Sequence, residues 1–159
     1  MTALGSATVL WFAAVVALCI LALRGDGPAL ILVVAAMAGG QVLSSLLKSA
    51  FDRARPDLIR GGPAVFDASF PSGHAMMSLV TYLTLATVLA RDEPRRSLKS
   101  VYLAAAAILT LSVGASRVLL GVHWPTDVLG GWCAGIAWVS LCLLAALAWK
   151  PRERTAAPA

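Results

Sequence analysis

Five long stretches without aspartate, glutamate, lysine or arginine constrain the fold of this chain more than any other feature. Each approaches or exceeds the roughly 17–25 residues that a helix needs to cross about 30 Å of hydrocarbon. Strands of a transmembrane barrel would be shorter and would alternate apolar with polar residues. The sequence therefore predicts an all-α integral-membrane bundle of about five transmembrane helices. The five stretches cover residues 1–23, 28–47, 71–90, 100–116 and 128–149.

The composition supports a membrane protein. Of the 159 residues, 59% are hydrophobic and 13% are charged, which is far from the average of soluble domains. We predict one membrane-embedded domain over residues 1–150 and a polar, disordered cytoplasmic tail over residues 151–159. The formal net charge of +5 indicates cytoplasmic anchoring and an anion site rather than a nucleic-acid partner.

Proline positions predict where several helices begin and end. The second helix is expected to end around Lys48–Arg55 and to be stopped by Pro56, because a residue that precedes proline avoids helical geometry. The third and fifth helices are expected to begin at Pro71 and Pro125, since proline suits the first helical position. The fourth helix is expected to begin at about Ser100.

The alternation of five crossing helices assigns each connection to one of two membrane sides. Polar residues of unusual kinds collect on one side, and most of the cations collect on the other. The positive-inside rule assigns the cation-rich side to the cytoplasm. The polar residues would then face the periplasm or exterior of a bacterial inner membrane. The cations of the cytoplasmic side are Arg24, Arg91, Arg95, Arg96, Lys99, Lys150, Arg152 and Arg154.

The first polar cluster is KSAFDRARP, at the end of the second helix. Lys48 and Arg55 are seven residues apart and would share one face if the helix continues through both. Two cations at a membrane surface also serve as simple anchors to lipid headgroups. This cluster alone therefore leaves both interpretations open.

The second cluster is FPSGHA, at the start of the third helix. A helix N-terminus presents free backbone N–H groups and binds anions. Gly73 would let an anion approach the backbone, Ser72 would add a hydroxyl donor, and His74 could exchange a proton near neutral pH. The alternative is a Ser-Gly turn with an incidental interfacial histidine.

The third cluster is SRVLLGVHWPTD, between the fourth and fifth helices. His123 and Asp127 can approach each other across the first turn of the fifth helix. A carboxylate at one imidazole nitrogen fixes the tautomer and leaves the other nitrogen available as a nucleophile. Arg117 offers a planar fork for phosphate oxygens. The alternative is a helix cap with a structural ion pair.

Together the three clusters supply cations, two histidines, a carboxylate and free backbone amides on one face. This set suits a phosphoryl group, whose transfer depends mainly on positioning and on charge stabilisation. The other acidic residues of that side have no ligand-like spacing to a histidine, so we predict no metal site. Those residues are Asp52, Asp57 and Asp67.

These motifs resemble the signature of the type-2 phosphatidic acid phosphatases, or lipid phosphate phosphatases. The signature has three parts, K-x6-R-P, P-S-G-H and S-R-x5-H-x3-D. All three match without a gap, from Lys48 to Pro56, at residues 71–74, and from Ser116 to Asp127. The resemblance implies a helical core related to that of the acid phosphatases and vanadium haloperoxidases.

The resemblance also implies a hydrolase that needs no metal or other cofactor and that works through a phosphohistidine. His123 would be the nucleophile and Asp127 its orienting partner. His74 would protonate the leaving oxygen and then activate water. The residues implied to bind the phosphate oxygens are Lys48, Arg55, Ser72, Gly73 and Arg117.

The helix count departs from the family pattern. Bacterial members usually have six membrane helices, whereas this sequence predicts five. We therefore expect that the chain lacks the equivalent of the family's first helix.

The implied substrate is a lipid phosphate or diphosphate at the outer membrane surface. Candidates are undecaprenyl diphosphate, phosphatidylglycerol phosphate, phosphatidate and a polyprenyl-phosphate sugar precursor, and the loop at 57–70 is expected to select the headgroup. The expected partners are this substrate and membrane lipids. A phosphotransferase that passes the phosphoryl group to another acceptor is the main alternative. A channel or transporter is less favoured, because it needs polar residues at mid-membrane depth.

Overall fold

The computed structural model describes residues 1–56 and 68–149. Over these two ranges the chain is helical, and four of its helices, α2 to α5, are long and apolar enough to cross a membrane. Helix α1 is apolar and shorter, with 17 residues. The prediction of an all-α, multi-pass membrane bundle is confirmed. The elements are a 3-10 turn at Thr2–Gly5, α1 at Ala7–Leu23, α2 at Gly27–Phe51, α3 at Gly73–Arg91, α4 at Arg96–Leu119 and α5 at Pro125–Ala148.

Two sequence predictions concern segments outside the described residues. One is the polar tail at 151–159, together with Lys150. The other is most of the loop at 57–70 to which headgroup selection was assigned, including Asp57 and Asp67. The single-domain boundary at residue 150 therefore stays a prediction.

The first apolar stretch is interrupted, contrary to the prediction of one continuous helix. The backbone of Ser6 is extended, and its Oγ accepts a hydrogen bond from the Val9 amide at 3.4 Å. Serine is a favoured N-cap, which explains why α1 begins only at Ala7. The preceding 3-10 turn is fixed to α3, because the Tyr82 hydroxyl donates to the Leu4 carbonyl at 2.7 Å.

Helix α2 ends at Phe51, inside the predicted range Lys48–Arg55, so Lys48 and Arg55 do not lie on one continuous helix. Asp52 adopts the left-handed conformation, with φ 37° and ψ 42°. Aspartate reaches this region more readily than most residues because its short polar side chain can hydrogen-bond locally. Lys48 therefore lies in the last helical turn, whereas Arg53 and Arg55 lie in a non-helical segment that turns towards α5.

Two other helix starts differ from the prediction. Helix α3 begins at Gly73 rather than Pro71, because the Ser72 side chain caps it by accepting from the Ala75 amide at 3.5 Å. Helix α4 begins at Arg96, before the expected Ser100. The first turn of α4 is charged, and the prediction was based on uncharged stretches, so it placed the start of this helix too late. Helix α5 begins at Pro125 as predicted.

Helix α3 lies at the centre of the bundle and contacts each of the other four helices. Two glycines of α5 allow the close approach of α3 and α5. A Cβ at Gly131 would lie 2.8 Å from the Ser72 carbonyl oxygen, and one at Gly135 would lie 3.2 Å from the Met76 carbonyl oxygen. Small residues four positions apart are typical of such close helix packing in membranes. The N-terminal ends of α3 and α5 consequently lie side by side, and the Ser72 amide donates to the Asp127 carbonyl at 2.9 Å.

Candidate active site

The polar clusters meet at one end of the bundle. The site is formed by the segment after α2, the start of α3, the connection between α4 and α5, and the first turn of α5. At its centre His123 and Asp127 are 3% and 0% exposed. Buried ionisable groups at the end of a membrane bundle are costly, so their presence indicates a functional site.

The Asp127 carboxylate is held from three directions. Its Oδ1 accepts from Arg53 Nη1 at 2.9 Å, and its Oδ2 accepts from the Trp124 amide at 2.9 Å and from the Ser69 hydroxyl. Its Oδ2 also lies 3.5 Å from Nδ1 of His123. The predicted approach of His123 and Asp127 across the first turn of α5 is therefore present. The Ser69 hydroxyl lies 3.4 Å from the same Nδ1, so the carboxylate and the hydroxyl both face this ring nitrogen at distances longer than an ordinary hydrogen bond.

The opposite side of the imidazole faces an arginine. Arg55 Nη1 lies 3.2 Å from His123 Nε2 and donates to the Val122 carbonyl at 3.0 Å. A guanidinium group can only donate hydrogen bonds, so Nε2 presents its lone pair in this arrangement. The ring hydrogen then lies on Nδ1, towards Ser69 and Asp127. This is the tautomer that a nucleophilic Nε2 requires.

The charge state of His123 agrees with this geometry. Burial, together with the charges of Arg55 and Arg117, lowers its pKa from 6.5 to about 4, although Asp127 acts in the opposite direction. Desolvation and nearby cations both disfavour the imidazolium form. His123 is therefore neutral at physiological pH. Arg117 lies in the last turn of α4, and its charge is one of the two that lower this pKa.

The remaining predicted residues gather around the start of α3. A Cβ at Gly73 would lie 4.0 Å from Lys48 Nζ, so the ammonium group is close to the first amides of that helix. His74 is the second residue of α3 and lines a cavity with Lys48 and Gly73. The buried Ser72 hydroxyl serves as the N-cap, and its use as a donor to an anion stays a prediction.

Two residues of the site, Arg53 and Ser69, were not predicted from the sequence. Arg53 contacts Asp127 and donates to Thr126 Oγ1 at 2.8 Å, while its guanidinium lies 5.8 Å from the ring centroid of Trp124. Ser69 is fully buried, and its amide donates to the Arg53 carbonyl at 2.8 Å. Both residues lie close in sequence to the RP and PSGH motifs, and this proximity was the signal in the sequence that could have indicated them. Only the tertiary fold pairs them with Asp127.

Within residues 1–56 and 68–149, no three histidine, cysteine, aspartate or glutamate side chains converge in a way that could hold a metal ion. Metal independence of the reaction stays a prediction.

Comparison with known proteins shows the family of this chain. Residues 29–151 match the model of the PAP2 superfamily. The chain belongs to this superfamily. It is 42% identical over 100 residues to phosphatidylglycerophosphatase B of Bacillus subtilis (strain 168), and this alignment covers 60% of this chain and 47% of that protein. It is 33% identical over 110 residues to lipid A 1-phosphatase of Rhizobium johnstonii, with coverage of 63% and 40%.

The fold of this PAP2 chain is also similar to that of a solved structure. The crystal structure of a transmembrane PAP2 type phosphatidylglycerolphosphate phosphatase from Bacillus subtilis superimposes with a TM-score of 0.83 at 31% identity. The match covers 96% of this chain and 76% of that chain. By contrast, this PAP2 chain spans less than half of the length of the two relatives named above.

The depressed pKa of His123 in this PAP2 chain leads to a direct prediction. We expect His123 to titrate near pH 4 rather than 6.5. The sequence contains two histidines, so NMR of protein labelled only at histidine can resolve both, and His74→Asn assigns them.

The same pKa shift makes stability depend on pH. The folded state protonates the His123 imidazole less readily than the unfolded chain does. The contribution of His123 to the free energy of unfolding is therefore fully present above pH 6.5 and is lost as the pH falls towards 4.

Two arginine variants provide the controls for this titration. Arg55→Gln removes one of the cations that lower the pKa, so we expect the His123 pKa to rise. Arg95→Gln, at the exposed start of α4 on the opposite end of the bundle, should leave it unchanged. A His123 pKa of 6.5 or higher in the unsubstituted protein would contradict this description of the site.

Proposed function

We propose that this PAP2 protein is an integral-membrane phosphatase that hydrolyses a lipid phosphate or diphosphate through a phosphohistidine. The observation that carries the proposal is the buried imidazole of His123, with Asp127 and Ser69 at Nδ1 and the donor Arg55 at Nε2. The names of two similar proteins, phosphatidylglycerophosphatase B and lipid A 1-phosphatase, specify lipid phosphates and support the substrate class.

In the first step, Nε2 of His123 attacks phosphorus and the bond from phosphorus to the lipid oxygen breaks. The departing oxygen takes a proton from His74. Arg55 exchanges its contact with Nε2 for a contact with a phosphoryl oxygen, which brings the cation to the developing charge as the nucleophile is released. Lys48, Arg117 and the first amides of α3, including that of Gly73, hold the other oxygens. Preorganised donors of this kind commonly contribute about 10²–10³ in rate each.

In the second step, water attacks phosphorus and the P–N bond to His123 breaks. His74, now neutral, takes a proton from this water. Asp127 stabilises the positive charge of the phosphorylated imidazole and keeps the ring in place. Arg53 and Ser69 are positioning residues, because they act on the carboxylate rather than on the substrate.

The proposed orientation places the site at the periplasmic or exterior surface of a bacterial inner membrane. The support is the distribution of charge. The end of the bundle opposite the site carries a cluster of cations at the end of α3, at the start of α4 and at the connection between α1 and α2, which the positive-inside rule assigns to the cytoplasm. Those cations are Arg24, Arg91, Arg95, Arg96 and Lys99.

A phosphate-release assay on a lipid panel tests the proposal. The purified protein in detergent, with EDTA present, should release inorganic phosphate from at least one of phosphatidylglycerol phosphate, phosphatidate and undecaprenyl diphosphate. Vanadate should inhibit, because it adopts the five-coordinate geometry of the reacting phosphorus. Equal yields of phosphate and dephosphorylated lipid indicate hydrolysis, whereas a deficit of phosphate indicates transfer to another acceptor. Loss of all activity with EDTA, restored by a divalent cation, would contradict the proposed chemistry.

A further inference from the structure

A cavity of about 250 Å³ adjoins the site on the side of His74. Its lining includes Lys48, Gly73 and His74 but not His123, Arg55 or Arg117. In phosphoryl transfer the attacking and departing atoms are roughly in line on opposite sides of phosphorus. If His123 attacks and His74 protonates the departing oxygen, as in the proposed function, the departing group must extend towards this cavity.

The size of the cavity limits its occupant. At about 30 Å³ for each water molecule in the liquid, the space corresponds to roughly eight waters. That is enough for a small headgroup. The cavity therefore fits the few atoms that directly follow the scissile oxygen.

One wall of the cavity is unusually polar for a membrane helix. Gln41, Ser44 and Ser45 of α2 line it, one or two turns before Lys48. Gln41 is about 10 Å along the helix from Lys48, and its side chain is exposed. The Ser45 hydroxyl donates to the Gln41 backbone carbonyl at 3.1 Å, whereas an uncharged side-chain amide at such depth is costly without a hydrogen-bonding partner. The facing walls are apolar and are formed by Leu10, Trp11, Met37 and Met77.

The chemistry of the polar wall distinguishes the candidate substrates. Hydroxyl and amide groups suit a hydroxylated, uncharged group. The second phosphate of a diphosphate would need several cations, and among the described residues that line the cavity only Lys48 and His74 can carry positive charge. Lys48 is already assigned to the phosphoryl group that reacts.

We propose that Gln41, Ser44 and Ser45 form a specificity pocket for a hydroxylated, glycerol-type headgroup next to the scissile bond. The preferred substrate is then a phosphate monoester of such a headgroup rather than a lipid diphosphate. This inference rests on the proposed function, and it assigns headgroup selection to α2 instead of the loop at 57–70.

A competition assay tests the pocket. The substrates are dioctanoyl phosphatidylglycerol phosphate and its analogue in which hydrogen replaces the secondary hydroxyl of the glycerol that bears the terminal phosphate. We expect wild-type kcat/KM to favour the hydroxylated lipid about tenfold, the size of one or two net hydrogen bonds. Gln41→Leu, or the double change Ser44→Ala with Ser45→Ala, should reduce this ratio to about one. Because both lipids compete for the same enzyme, the ratio does not depend on the fraction of a variant that folds.

Two controls separate the possible outcomes. Ser49→Ala changes an exposed serine of α2 that does not line the cavity, and it should keep the wild-type ratio. Farnesyl diphosphate, a soluble diphosphate probe, should react at least tenfold less well than phosphatidylglycerol phosphate. A wild-type ratio near one, a ratio unchanged by both sets of pocket variants, or a preference for farnesyl diphosphate would overturn the pocket while leaving the phosphatase function intact. Absence of phosphate release from every lipid would instead reject the proposed function itself, and the pocket with it.

Discussion

His123→Ala is expected to lower phosphate release by roughly 10⁴-fold or more, because removal of a nucleophile abolishes the covalent route. The side chain contacts Arg55, Ser69 and Asp127 at the end of the bundle rather than the apolar core. We therefore expect the helical bundle to remain folded. Initial rates on the best lipid of the panel, with circular dichroism and thermal unfolding on the same preparation, measure both effects.

A matched control for this variant is Leu119→Ala. Leu119 ends α4 in the same part of the chain and is 86% exposed. Its removal should change the rate by no more than a few fold. If folded His123→Ala protein retains more than about a hundredth of wild-type activity, His123 is not the nucleophile.

Asp127→Asn is expected to have the second-largest effect, a loss of roughly 10³–10⁴-fold in kcat. Replacing the orienting carboxylate of a catalytic histidine by an amide costs about 10⁴ in a serine protease, where the histidine takes the wrong tautomer. Here the carboxylate oxygens accept from Arg53, Ser69 and the Trp124 amide. An amide nitrogen at either position would face a donor instead of accepting from it.

The Asp127→Asn result can be separated from simple unfolding. The nitrogen chemical shifts of His123 in histidine-labelled protein report which ring nitrogen carries the hydrogen. We expect the wild-type preference for Nδ1–H to weaken in the variant. Ser69→Ala, which removes one of the three donors, should have a smaller effect in the same direction. A variant that keeps both the wild-type tautomer and more than a tenth of wild-type kcat would show that Asp127 does not orient the nucleophile.

The membrane fold could be predicted well from the sequence because its main determinants are local. Uncharged stretches long enough to span hydrocarbon define the helices, whatever their partners. The pair Gly131 and Gly135 could also be assigned to packing from spacing alone. Helix ends were less predictable, since they depend on single capping residues such as Ser6, Asp52 and Ser72.

The site was predicted in its residue types and only partly in its geometry. Spacing within one helical turn indicated that His123 and Asp127 would meet. No local pattern pairs Arg53 or Ser69 with Asp127, because 74 and 58 residues separate them along the chain. Lys48 and Arg55 show a second limit of local spacing. They would share one face only if helix α2 continued through both, whereas the left-handed Asp52 ends the helix between them, and each reaches the site from a different direction.

Trapping of the phosphoryl-enzyme tests the central claim most directly. p-Nitrophenyl phosphate has a leaving group that needs no protonation, so His74→Ala should still be phosphorylated but should hydrolyse the intermediate slowly. The account predicts a burst of about one p-nitrophenol per active site. It also predicts a phosphoryl group that survives alkali, is lost in acid, and maps by mass spectrometry to the peptide containing His123. A phosphoryl group on another residue, or continued turnover with no covalent intermediate and no burst, would contradict it.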